Sequence, residues 1–166
     1  LAETRHAAAV GLRSARRLRE APSRGGPRLT GRVAIAKVQN HLIECLPRKD
    51  RLRLLALGEP VPLVLGEVLC EPGNTTRHIY FPTEGFISLV VAIDGKPALE
   101  VGMVGREGLL GAQLALGVNT VPLHALVQGA GSALRVGSAA FRKQLTLSTA
   151  LRRTLDRYLY VLMAQL

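Results

Sequence analysis

Apolar and polar positions change rhythm several times along this chain, and each change marks an element. Over Val38–Leu46 apolar residues recur loosely at helical spacing, with Leu42 and Leu46 on a common side, until Pro47 interrupts. Proline suits the start of a helix, where its missing N–H would be an orphan in any case. A second short helix is therefore expected over Arg48–Leu57, packing through Leu52, Leu55 and Ala56. From Val61 the pattern turns to short extended pieces. Pro62 and Gly66 punctuate Val61–Leu69, and Glu71-Pro72-Gly73-Asn74 carries the backbone preferences of a tight turn. His78–Phe81 reads as a strand ending at Pro82, and Glu84-Gly85 as a turn. Phe86–Ile93 is the strongest strand signal, because its centre is β-branched and apolar. Asp94-Gly95 is a hairpin turn that would return Ala98–Val104 antiparallel.

Arg106–Leu116 lies among Gly105, Gly108, Gly111 and Gly117, which favours a brief helix and a turn, since an interior glycine costs a helix about 1 kcal/mol. His124–Gln128 and Ala133–Val136 read as short strands around Gly129 and Gly131. A helix over Ser138–Leu145 follows, then a longer one with Ser148 as its N-cap. Along the last helix Leu151, Leu155, Leu159, Leu162 and Leu166 recur at mostly three- and four-residue intervals, with Tyr158 beside them. Such a stripe needs a cover. The sheet domain could supply it, or the matching helix of a second copy. The second is favoured, because the stripe runs to the last residue. Many short strands between glycine and proline turns predict a mainly β domain: a closed antiparallel β-roll or jelly roll with flanking helices, followed by a C-terminal dimerisation helix.

Composition narrows the function. The chain has 166 residues, of which 48% are hydrophobic but only 4% aromatic, with no tryptophan, so leucine, valine and alanine must fill the core. Base stacking on aromatic platforms is correspondingly disfavoured. The formal net charge is +10, yet Arg5, Arg13, Arg16, Arg17, Arg19, Arg24, Arg28 and Arg32 crowd one end against only Glu3 and Glu20. This divides the chain into a basic, weakly ordered extension over 1–36, a folded domain over 37–146 and the start of the dimerisation helix over 147–166. Residues 7–20 could form a short helix in the extension. A solvated tail is the plain reading of it; a membrane-surface or nucleic-acid arm is the alternative.

Cys45 and Cys70 lack the companions that a structural zinc or an iron–sulfur cluster requires, and two reduced thiols are a plainer account than a disulfide. Ser88 and Ser138 have no nucleophile setting, and His6, His41, His78 and His124 form no motif with acids, so no enzyme and no cofactor are expected. No apolar run approaches the about 20 residues that span a bilayer. The expectation is a cytoplasmic protein without a membrane partner. The chain opens on Leu1, which suggests a fragment, a processed product or an altered start.

Three ordered segments carry a resemblance. They are Gly66-Glu67-Val68-Leu69-Cys70-Glu71-Pro72-Gly73, then His78-Ile79-Tyr80-Phe81-Pro82-Thr83-Glu84-Gly85 with Ile87-Ser88-Leu89-Val90, then Glu100-Val101-Gly102-Met103-Val104-Gly105-Arg106-Glu107-Gly108. With them the stretch Asn40–Leu166 resembles the sensor domain of Crp/Fnr-type bacterial transcription regulators. The resemblance implies a cyclic-nucleotide-binding β-roll, a long dimerisation helix and a helix-turn-helix domain, the last of which would begin beyond Leu166. It therefore implies a homodimer that meets DNA only through a domain absent here, with an unidentified effector.

In nucleotide-binding members a Gly-Glu-Leu turn meets the ribose and an Arg-Ser-Ala or Arg-Thr-Ala segment neutralises the phosphate. Gly105-Arg106-Glu107-Gly108 only approximates the first, and Val121-Pro122-Leu123 aligns with the second without any basic side chain. Valine has no side-chain donor and Pro122 lacks even an amide one, so the resemblance implies a degenerate cassette without cyclic nucleotide. Arg106 could substitute for the missing charge or remain an exposed side chain. Glu107 could meet a ribose or accept hydrogen bonds from turn amides. The alternative function is a stand-alone interaction or adaptor domain that has lost its DNA-binding output.

Overall fold

The computed structural model describes residues 40–91 and 98–164. The basic extension over 1–36, its helix over 7–20, the Asp94-Gly95 turn and Leu166 lie outside the described residues. Two short helices open the described chain: α1 (His41–Glu44) and α2 (Arg48–Leu57), which Pro47 precedes. Five strands follow, β1 (Gly58–Leu63), β2 (Val68–Cys70), β3 (His78–Val91), β4 (Leu99–Val104) and β5 (His124–Gly137), with a 3-10 helix at Ala112–Leu116 before the last. Helices α3 (Ser138–Leu147) and α4 (Thr149–Ala164) complete it. No described helix is long and apolar enough to cross a membrane.

Local chemistry explains the boundaries that sequence reading found. Gly73 adopts φ +82°, a backbone region costly for any residue with a Cβ, and the Asn74 N–H closes the turn onto the Glu71 carbonyl at 3.1 Å. Ser148 caps α4 by accepting from the Leu151 N–H at 3.0 Å, which satisfies one orphan donor of the first turn. In α2 the side chain taken fully into the core is Leu54, 1% exposed; of the expected packing residues Leu55 lies partly against the core, while Leu52 is exposed at 42% and Ala56 is exposed too.

The expected closed β-roll or jelly roll is not what forms. The strands make one antiparallel sheet in the order β1-β5-β3-β4, with β2 also on β5, and β1 and β4 do not meet. The fold is a mixed one, an open five-stranded sheet with helices packed against it. The reason lies in β3 and β5. Each is a single strand of 14 residues where two short strands were expected, so the expected turn at Glu84-Gly85 and the break around Gly129 and Gly131 lie within a continuous ribbon. The β3–β5 register shifts between Pro82 and Ile87, and such bulges tolerate a proline that cannot donate to the ladder.

The bulges also exchange the faces. Ile79 and Phe81 of β3 and Leu134 and Val136 of β5 join a core with α1 to α4, in which Phe81 and Phe141 meet edge to face at 6.1 Å. A second cluster gathers Leu63, Tyr80, Ile87, Val104, Leu110, Val127 and Ala133. Alternation along β3 and β5 thus feeds two apolar layers. Each fully buried large side chain contributes about 1.5–3 kcal/mol, which makes the first layer the principal anchor of the helices.

Candidate functional site

The turn that precedes the 3-10 helix is fastened from three directions. Within it the Gly105 N–H donates to Glu107 Oε1 at 2.8 Å and the Gly108 N–H to the Gly105 carbonyl at 3.1 Å. From α1, the His41 N–H donates to the Arg106 carbonyl at 2.8 Å. Asn40 is wholly buried and makes three contacts: Nδ2 donates to the carbonyls of Gly108 and Pro82, each at 2.9 Å, and Oδ1 caps α1 by accepting from the Ile43 N–H at 3.3 Å. From β3, Tyr80 and Leu110 exchange backbone hydrogen bonds of 3.2 and 2.9 Å. A single asparagine therefore satisfies groups from three segments that would otherwise be buried unpaired.

The fourth fastening comes from α4. The Tyr158 ring lies against Gly108, so closely that a Cβ there would overlap the phenol. Burial pushes the Tyr158 hydroxyl up to about 12, partly opposed by its hydrogen bond with the Leu109 backbone; the nearby Glu107 charge adds to the rise. Gly108 is thus small because a tyrosine from the terminal helix occupies the space a side chain would need.

The residues expected to form a pocket are not brought together. Glu107 lines an apolar groove of about 430 Å³ with Leu42, Cys45, Met103, Tyr158, Val161 and others. Val121 lines a different, polar cleft of about 460 Å³. Arg106 is exposed and has no ion-pair partner among the described residues, Pro122 is exposed, and Leu123 is half-buried. Val121 is buried, and its backbone is engaged by the Gly73 N–H at 2.9 Å and the Asn74 carbonyl at 3.0 Å. A phosphate placed between the two segments would find neither a basic side chain at 121–123 nor a shared recess.

The terminal stripe is divided. Leu151, Leu155 and Tyr158 are buried in the chain's own core, and Leu159 and Leu162 pack partly against it. The exposed apolar side chains of α4 are Tyr160, Val161 and Met163. Heptad-like spacing alone could not show this, because it gives a face without saying which body covers it. Asn40 and the Tyr158–Gly108 contact were also missed; their partners are distant in sequence, and only the Asn40 N-cap position leaves a local signal.

No protein-family model matches the chain, and no curated protein matches it in sequence. Solved structures do match. The N-terminal domain of a transcriptional regulator from Streptomyces coelicolor A3(2) superposes with TM-score 0.59 at 22% identity, covering 74% of this chain and 88% of that one. The sensor domain of the transcriptional regulator DNR from Pseudomonas aeruginosa does so with TM-score 0.60 at 18% identity, over 76% and 85%. The fold is shared with these domains of transcriptional regulators. The Thermus thermophilus catabolite activator protein is also similar, with TM-score 0.62 at 14% identity, and there the match covers 75% of this chain and 58% of the other. These structures are of regulatory or sensor proteins rather than enzymes.

Proposed function

We propose that this chain is the sensory part of a Crp/Fnr-like transcription regulator whose degenerate cassette holds no cyclic nucleotide. The observation that carries the reading is the seat of Tyr158 on Gly108 and Leu109. It couples a turn at the surface of the sheet domain to the helix that leads away from it. A change that shifts the 105–109 turn alters the support of α4, and a ligand or partner preferring one of the two arrangements shifts their populations by its difference in affinity.

In this reading two copies pair through α4, and DNA is met only by a domain beyond the present chain, in the cytoplasm. Residues 1–36 are an appendage, 37–146 the sensor and 147–166 the beginning of the dimerisation helix. Tyr160, Val161 and Met163 supply the contact face, with Leu159 and Leu162 at its margin. Light scattering after size exclusion tests the pairing: the chain should elute as a dimer, and Val161→Asp with Met163→Asp should yield a folded monomer. A monomeric parent chain would overturn the pairing. Addition of cyclic AMP should leave the melting temperature unchanged. A rise that grows with its concentration would show that the cassette still binds.

A further inference from the structure

Charge is divided unevenly over the described residues. The strands and their turns carry Glu59, Glu67, Glu71, Glu84, Glu100 and Glu107 against Arg77, Arg106 and Arg135. The last two helices reverse the sign. Together α3 and α4 hold Arg142, Lys143, Arg152, Arg153 and Arg157, and Asp156 is their one carboxylate among the described residues. None of these five cations has an ion-pair partner among the described residues. Arg142 instead donates to Asn119 Oδ1, in the loop after the 3-10 helix, which holds its guanidinium beside that loop.

Between these helices and the 3-10 helix runs a groove of about 510 Å³. Leu114, Ala115 and Leu145 are its apolar floor, and Leu116, Arg142, Arg152 and Asp156 stand around it. Leu116 is 66% exposed, and its backbone fixes it there. The 3-10 helix lies between Gly111 at φ +101° and Gly117 at φ +79°, and the Gly117 N–H closes onto the Leu114 carbonyl at 3.1 Å. Val118 and Leu147, next in sequence to the lining residues Gly117 and Thr146, are exposed as well. Single apolar side chains scattered over a surface carry no meaning. Three gathered about one groove with a cationic rim mark a place where another chain is met.

We propose that this groove docks an acidic amphipathic segment of another protein, an apolar side chain entering beside Leu116 and carboxylates meeting Arg142 and Arg152. The two halves of the surface select this occupant together. A nucleic acid would use the guanidinium groups but gain little from Leu116, Val118 and Leu147. A second copy meeting the same face about a two-fold axis would set arginine against arginine. An acidic segment with apolar residues at helical spacing uses both halves. None of the lining residues belongs to the 105–109 turn or to the α4 face assigned to pairing, so the proposal does not rest on the function proposed above.

Fluorescence anisotropy of the whole chain with a labelled peptide tests this, amide NMR locating the contact. The peptide has about 12 residues, glutamates with leucine at every third or fourth position. Binding should saturate, with shifts centred on residues 114–117, 142–146 and 152–156. Leu116→Ser should weaken it about tenfold, as should serine in place of leucine in the peptide, and Arg142→Glu with Arg152→Glu should abolish it. Arg77→Gln, which removes an exposed arginine of the cleft beside Val121, should leave the affinity unchanged. No saturable binding, or shifts confined to the arginine-rich residues 5–32, would overturn the proposal. So would equal affinity for the serine peptide, a DNA duplex that shifts the groove residues as strongly, or parent affinity in a Leu116→Ser chain whose free spectrum overlays the parent. Any of these leaves the Tyr158 coupling and the pairing of α4 standing.

Discussion

The turn at 105–109 and the cleft beside Val121 are both built on exposed loops next to β3, yet they are finished in opposite ways. At the turn, backbone groups are engaged by Asn40, His41 and Tyr80, and Tyr158 closes over Gly108. At the cleft, the main chain is engaged and the polar side chains are not. A site of the first kind resists change and passes displacement on, because moving one member leaves buried polar groups unpaired. A site of the second kind costs little stability and keeps its donors for something else. The contrast sets a braced turn beside a cleft with open polar side chains within one small domain.

Asn40→Ala is the most severe way to break that contrast. It removes two donated hydrogen bonds and a helix cap at a fully buried position, so urea unfolding should show a loss of about 3 kcal/mol. A loss below about 1 kcal/mol would mean the turn is held by packing alone. Tyr158→Phe comes next, at about 1–2 kcal/mol near neutral pH, because the buried phenol oxygen seated on Gly108 is lost.

Tyr158 also sets an alkaline signature. Its folded value of about 12 lies above the ordinary 10, so the folded chain keeps a proton that the unfolded chain releases. The associated stability is complete below pH 10 and is lost as pH rises from 10 towards 12, by about 2 kcal/mol. Unfolding measured across that range should fall more steeply in the parent than in Tyr158→Phe. Parallel curves would separate the hydroxyl from the turn. The smallest effect belongs to the cleft: Arg77→Gln should change stability by less than about 0.5 kcal/mol, since Arg77 is exposed and has no ion-pair partner among the described residues.

Sequence reading succeeded where the cause is local. The Pro72-Gly73 turn, Pro47 ahead of α2 and Ser148 ahead of α4 each act through their own backbone or the next few residues. It failed where glycine has two uses. Gly85, Gly129 and Gly131 look like turn residues, but across the β3–β5 ribbon Gly85 and Gly131 each face the other strand's backbone with no room for a Cβ, and Gly129 lies against Phe86. Composition cannot distinguish a reversal of the chain from a crease where two strands press together. The same gap hid the open sheet, since closure depends on whether β1 and β4 meet. The terminal leucines were legible as a stripe, but not as one whose first half the chain covers itself.

The unclosed sheet has a further consequence for solubility. Its two borders are unlike: on the β5 side the border is shared by the three-residue β2 and by β1, whose Pro60 and Pro62 interrupt any row of donors that a stray strand could dock on. The β4 border carries no proline, and Leu99 and Met103 are exposed along it. Among the described residues, sideways growth of the sheet by another extended chain is therefore open at one border and obstructed at the other.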